Sequence, residues 1–294
     1  MRMRTAQSVS NAVVAAVALF GLMLPALGAA EPDRLSLSAR MHVPKGQSVV
    51  VAMQGQSAIF MIGPIDSTVL ASYRTMQLKS PATKLYIDSG GGDVPSAIAL
   101  ADDLRKRGTR LIVAGKCFSA CANYIFTGAL RKDVLPGSLI GIHGSQLQYY
   151  ANNGTISLPL RHAQQLDQRD VDGNIRKQLS EKAALEHDFY SRIGLATKNF
   201  QVFDAYQSRL EQSAGKKDSA CRKIDMWILS KRELQEMGII GMQAIWMPET
   251  VQEVAVLAND LDLDPANVFF GSPQQLNQAC TNRGVPVVAP KRHR

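Results

Sequence analysis

Aromatic residues make up only 6% of this 294-residue chain. The basic residues are scattered, in groups such as 105–110, 161–176, Lys216-Lys217 and the tail Lys291-Arg292-His293-Arg294. Nucleic-acid binding calls for a clustered basic face with aromatic stacking partners, so that class is set aside. Cysteine is sparse, at four residues. None forms a C-x-x-C pair and no Cys/His spacing of a metal site occurs. This argues against a thioredoxin-like redox centre and against zinc. The glycines follow neither G-x-G-x-x-G nor a Walker loop with its Lys-Ser/Thr, so no nucleotide fingerprint is present. There is no internal repeat and no low-complexity tract. Beyond the first thirty residues, no apolar run approaches the ~20 residues of a membrane-spanning helix.

What is present begins at the N-terminus. Arg2 and Arg4 precede an apolar run from Ala12 to Leu24, followed by the small residues Leu27-Gly28-Ala29-Ala30. This is the pattern of a secretory signal peptide, with cleavage expected after Ala30. An uncleaved anchor is the alternative, and the run is short for one. The mature protein is expected to be soluble and periplasmic or secreted. The formal charge of +8 falls by two when Arg2 and Arg4 leave. With 46% hydrophobic and 20% charged residues, the remainder has the composition of a globular protein. The expected division is a signal peptide over 1–30, one main domain over 31–247 and a small C-terminal extension over 248–294. An even cysteine count in an oxidising compartment permits two disulfides with three possible pairings. Cys117 and Cys121 bracket Ser119, and four residues on a helix place Cα atoms about 6 Å apart, inside the bonding window. Cys221 and Cys280 would form the second bridge.

Periodicity indicates α/β architecture. Ser48 to Met53 and Ser57 to Ile62 read as strands. Asp66 and Ser67 cap a helix over Thr68 to Leu78. A short buried strand, Lys84 to Ile87, leads into Asp88-Ser89-Gly90-Gly91-Gly92. Val94, Ala97, Ile98, Ala101 and Leu104 then recur at helical spacing, with Gly108 as C-cap. Leu111 to Ala114 is a strand, Ser119 to Leu130 is helical after a Gly115-Lys116 connection, and Leu139 to Ile142 is a strand running into His143. Such alternation predicts a parallel sheet. Ser145 to Leu158 reads as a surface loop, and His162 to Leu195 and Lys198 to Ser213 as helices. Met226 to Leu229 is an apolar run. Lys231 to Met237 is a helix that Gly238 caps before a strand at Ile239-Ile240.

Ser119 and His143 carry the chemistry. A serine opening a helix after a strand can be a simple N-cap. Here the next strand ends in a histidine, and neighbouring parallel strands deliver their end groups to one edge of a sheet. A hydroxyl nucleophile, an imidazole base and a glycine turn with backbone N–H groups are the parts of acyl transfer. The triple glycine by itself is equally a tight turn that needs positive φ.

With these residues in place the chain resembles the ClpP/crotonase superfamily, above all the Clp protease proteolytic subunit and more loosely signal peptide peptidase A. Ile59 to Asp66 (IFMIGPID) is similar to the family's strand and G-P-hydrophobic-Asp turn. Leu85 to Gly92 (LYIDSGGG) is similar to its Y-I-N-S-P-G-G segment, with Gly90 in place of proline. Ser119-Ala120, Ile142-His143 and Asp225 to Gly238 (DMWILSKRELQEMG) complete about 180 residues of likeness. The resemblance implies repeated ββα units around a parallel sheet, plus a long helix and a small C-terminal extension. It implies Ser119 as nucleophile, His143 as general base, Asp225 as the orienting acid, and Gly91 and Ala120 as oxyanion donors. Asp188 is a second candidate acid. The function implied is an exported serine peptidase acting on peptides or unfolded envelope proteins, with homo-oligomers plausible and no metal or cofactor. An exported location leaves no cytosolic ATPase partner and no CoA. A catalytically degenerate scaffold or binding protein of the same fold is the alternative.

Overall fold

The computed structural model describes residues 36–53, 55–143, 146–151, 154–159, 173–213 and 223–279. The expected signal peptide, the Cys221–Cys280 bridge and the basic tail lie outside the described residues. A one-turn helix, α1 (Leu37–Arg40), precedes a hairpin of β1 (Val49–Met53) and β2 (Ala58–Ile62). Then come α2 (Ser67–Lys79), β3 (Lys84–Ser89), α3 (Val94–Arg107), β4 (Arg110–Phe118), a π-helical turn (Cys121–Phe126), β5 (Arg131–Val134) and β6 (Leu139–Ile142). A second hairpin, β7 (Gln146–Ala151) with β8 (Gly154–Pro159), is followed by α4 (Gly173–Ile193) and α5 (Lys198–Ser213). The chain continues through β9 (Met226–Ile228), α6 (Lys231–Glu236), β10 (Met242–Ile245), α7 (Val251–Asp260), β11 (Val268–Phe270) and α8 (Pro273–Gln278).

The result is mixed α/β with a mostly parallel nine-stranded sheet, ordered β1-β2-β3-β4-β6-β9-β11, with β5 and then β10 branching from β4. Parallel strands need crossovers, and α2 and α3 supply them between β2, β3 and β4. Each helix starts where the sequence puts a cap. Asp66 accepts from the Val69 N–H at 2.8 Å, Asp93 accepts from the Ser96 N–H at 3.0 Å, and Gly108 ends α3 at φ +64°. Ile59, Met61, Leu85, Ile87, Leu111 and Val113 alternate onto one face of the sheet and are fully buried under the helices.

Strand β4 forks. Its first half, Arg110 to Val113, pairs with β5, and its second half, Lys116 to Phe118, pairs with β6. The bend falls at Gly115, at φ +142°. The pairing of β3 with β4 is irregular between Ile87 and Ser89. Into this gap goes the buried carboxylate of Asp88, which accepts the Lys116 N–H at 3.1 Å and the Ser38 N–H at 2.8 Å. A Cβ on residue 115 would stand 2.5 Å from the Asp88 carboxyl carbon. Only glycine leaves room, and so the strand expected to stop at Ala114 runs on to Phe118.

Other expectations are displaced. The loop read over Ser145 to Leu158 contains the β7–β8 hairpin, and the strand placed at Ile239-Ile240 begins at Met242, after Gly241. The first part of the long helix, 162–172, lies outside the described residues. The C-terminal segment contributes to the sheet itself. Strand β11 pairs in parallel with β9, and Val254, Leu257 and Ala258 of α7 pack on Phe118, Leu139 and Met226.

Candidate active site

The C-terminal ends of β3, β4 and β6 meet at one edge of the sheet, where open α/β sheets gather their functional groups. Ser119 leaves β4 at φ +54°, in the left-handed region that a residue bearing a Cβ rarely adopts. The turn is held from both sides. The Ser119 N–H donates to the Gly141 carbonyl at 3.0 Å, and the Ser119 carbonyl accepts the Asn123 N–H at 2.8 Å. The helix expected from Ser119 starts as π-helix, a form found mostly as single turns and frequently at functional sites. Its Tyr124 hydroxyl donates to the buried Glu186 carboxylate of α4 at 2.6 Å, which fixes the turn from below.

His143 follows β6 directly. Its Nε2 and Ser119 Oγ lie 2.5 Å apart, so the two residues singled out by sequence are brought into contact. Burial lowers the His143 pKa from its ordinary value, while its own backbone carbonyl and the charge of Asp225 pull in the other direction. The shift favours the neutral ring, the form that can accept a proton. Its Nδ1 is sealed from solvent and has no hydrogen-bond partner among the described residues.

Asp225 is near but not engaged. Gly141 and Ile142 of β6 pair antiparallel with Ile228 and Trp227 of β9, and continuing that register brings Asp225 alongside the end of β6. Its carboxylate is half-exposed and paired with Lys223 at 3.2 Å rather than with the imidazole. Asp188, the other candidate acid, pairs with Arg192 at 2.7 Å on the exposed face of α4. It plays no part in this site.

Gly91 packs directly against the serine turn. A Cβ there would meet the Phe118 carbonyl oxygen at 2.7 Å and the Ala120 nitrogen at 2.8 Å. The Gly91 N–H, however, donates to Ser89 Oγ at 3.0 Å, so in this state it is not free for an oxyanion. Ser89 was not among the residues singled out by sequence. The signal was there, because a serine two residues ahead of a glycine turn is placed to bond that backbone. Gly92 bridges in parallel to Ile65, through bonds from the Ile65 N–H to the Gly91 carbonyl at 2.8 Å and from the Asp93 N–H to the Ile65 carbonyl at 2.7 Å. The second donor expected by resemblance, the Ala120 N–H, sits at the start of the helical turn, where no carbonyl lies one turn back.

Cys117 and Cys121 form a disulfide with Cα atoms 5.2 Å apart. The bridge does not lie along one helix as the spacing suggested. Cys117 belongs to β4 and Cys121 to the helical turn, so the bond spans the serine loop. Among the described residues, no group of three or more His, Cys, Asp or Glu side chains is placed to hold a metal ion.

No protein-family model matches the chain, and no curated protein matches it. Among solved structures it is similar to a mutant of ClpP1 from Listeria monocytogenes, at 15% identity over 66% of this chain and 93% of that one, with a TM-score of 0.36. It is also similar to a mutant of the 1510-N membrane-bound stomatin-specific protease, at 15% identity over 74% of this chain and 96% of that one, with a TM-score of 0.32.

Proposed function

We propose that this chain is an exported serine peptidase that cleaves peptides or unfolded proteins through an acyl-enzyme on Ser119. The observation that carries the reading is the 2.5 Å contact between Ser119 Oγ and His143 Nε2 at the C-terminal edge of the sheet, with the imidazole held below its ordinary pKa by desolvation. In the reaction, His143 takes the hydroxyl proton as Oγ bonds to the carbonyl carbon of the scissile peptide. The carbonyl oxygen becomes an oxyanion beside Ala120. As that intermediate collapses, the C–N bond breaks and the imidazolium returns the proton to the departing amine. Water, activated by the same imidazole, then hydrolyses the acyl-enzyme.

The glycine-side donor is better assigned to Gly92 than to Gly91. In a parallel bridge the bridged residue's own N–H points away from its partner. Gly92 is bridged to Ile65 on the β2 side, so its N–H is directed toward the β4 side, where Ser119 lies. It also adjoins the N-terminus of the fourteen-residue α3, whose dipole favours negative charge. Ser89 acts through Gly91, holding the loop in shape. A buried disulfide and the expected signal peptide support a periplasmic or secreted location, which N-terminal sequencing of the mature protein tests by finding residue 31 first.

A fluorophosphonate probe should label the protein on Ser119, and Ser119→Ala and His143→Ala should each abolish labelling while leaving the circular dichroism unchanged. A second reading, a non-catalytic binding scaffold, is favoured by the lack of a partner for His143 Nδ1 among the described residues and by the engaged Gly91 N–H. Absence of labelling in the native protein would establish that reading instead.

A further inference from the structure

We infer that the Cys117–Cys121 disulfide is a positioning element of the reaction that arms Ser119 only once it is oxidised. The inference rests on the serine-hydrolase reading and deepens it. Cys117 is pinned on both sides of the sheet, paired with Ser89 of β3 and with Ile140 of β6. Cys121 is the first residue of the π-helical turn. The bond between them closes a loop whose interior residues are Phe118, Ser119 and Ala120. Ser119 in the middle holds a left-handed backbone conformation at φ +54°. Neighbours on the same loop act in the reaction, since Ala120 offers the oxyanion donor. Both cysteines are fully buried, Phe118 is 3% exposed and Ala120 is 2% exposed. The bond therefore adds no surface feature, and what it fixes is the geometry of the loop that carries the nucleophile.

A left-handed residue that bears a Cβ relaxes unless its surroundings over-determine it. The flanking backbone hydrogen bonds, Ser119 N–H to Gly141 and Asn123 N–H to Ser119, secure the ends of the turn. The covalent link secures the span between them. Without it only hydrogen bonds hold the helical turn to β4, and a small shift carries Oγ away from Nε2 and the Ala120 N–H away from the oxyanion. A misplacement of about 1 Å is enough to cost on the order of 10²-fold in rate.

Forming the bond takes two electrons and two protons from the cysteine thiols. A disulfide oxidant of the exported compartment accepts them and leaves as a dithiol. Reducing compartments hold such pairs as thiols. Before export the chain would thus carry its serine on an unfastened turn, and hydrolysis would begin only where the bond can form.

The test uses the full mature chain bearing Cys221→Ala and Cys280→Ala, so that reduction reports on this bond alone. Fluorophosphonate labelling of Ser119 is measured at several probe concentrations, which separates the maximal rate from probe affinity. Treatment with dithiothreitol, or Cys117→Ala with Cys121→Ala, is expected to lower the maximal rate about 10²-fold. Apparent probe affinity and far-ultraviolet circular dichroism should be kept. Reoxidation of the reduced chain with oxidised glutathione should restore the rate. Equal labelling rates in oxidised, reduced and alanine-substituted chains would overturn the inference while leaving the peptidase reading intact. Loss of the far-ultraviolet signal on reduction would overturn it too, assigning the bond to bulk stability. No labelling of the oxidised chain removes the peptidase reading, and the arming role with it.

Discussion

His143 is half-buried and Lys132 fully buried, and loss of solvent moves both pKa values down. For His143 the consequence bears on the proposed reaction. The imidazole must be neutral to take the serine proton, and its folded pKa lies below the ordinary 6.5. The labelling rate is expected to hold steady as pH falls through 6.5 and to decline only at lower pH. Asp225 opposes the shift through its charge. Asp225→Asn should therefore move that acid limb to still lower pH, while slowing the reaction because the imidazolium loses a counter-charge. A pH profile of labelling for both proteins checks this, and an unmoved limb would show that Asp225 does not sense the ring. Lys132 is fully buried on β5, with its Nζ donating to the Thr127 carbonyl at 3.3 Å and lying 5.1 Å from the Phe126 ring centre. Burial, helped by the nearby charge of Arg105, pushes its pKa down from 10.5 to about 7. Between those values the unfolded chain holds the proton and the folded chain does not, so stability rises with pH across that window. Urea titrations at pH 7 and pH 9.5 should show the rise in the native protein. In Lys132→Met it should be largely gone, with higher stability at pH 7.

At the scale of elements, the fork in β4 decides where the serine stands. Asp88 fills the gap left by the irregular β3–β4 pairing, and Gly115 makes space for it. Gly115→Ala forces a Cβ onto that carboxylate at a φ unsuited to alanine. It is expected to destabilise the fold by about 1–3 kcal/mol, the usual cost of overpacking. Asp88→Ala leaves the half-buried Lys116 and Ser38 N–H groups without their acceptor, where a fully buried orphan would cost about 1–3 kcal/mol, so the expected loss is about 1–2 kcal/mol in all. Denaturant midpoints measure both losses. The fork also predicts reduced labelling in both variants, because the same half-strand carries Phe118 into Ser119.

At the scale of the whole molecule, β9 joins the C-terminal segment to the site. It pairs antiparallel with β6, which leads into His143, and in parallel with β11. Trp227 at its centre is fully buried and donates from Nε1 to the Gly271 carbonyl at 3.0 Å. Trp227→Ala should cost about 3–5 kcal/mol, as large aromatic truncations do. Ending the chain at residue 247 strips β11 and α7 and bares Phe118, Leu139 and Met226. That shortened protein is expected to be insoluble or molten, and to label poorly, when compared with the full chain by size-exclusion chromatography.

Much of this architecture was legible in the residues because its signals are local. Short runs of β-branched and apolar residues marked β1 to β3. Asp66 and Gly108 marked helix ends, and the short spacing from Ser119 to His143 placed both groups at neighbouring strand ends. What the chain could not show is how far apart in sequence the decisive partners lie. The acidic Asp88 inside an apolar strand acquires its meaning only when Gly115 and Ser38 surround it. The C-terminal segment looked peripheral because β11 is short, and its pairing with β9 is a tertiary event. The Gly91 N–H is committed to Ser89, and the Asp225 carboxylate to Lys223. Sequence fixed which groups exist and roughly where along the strands they emerge, since backbone propensity and side-chain period act over a few residues. That the Gly91 N–H turns to Ser89, and that the Asp225 carboxylate stops short of the ring, were decided by distances of a few ångströms that only packing of remote segments sets.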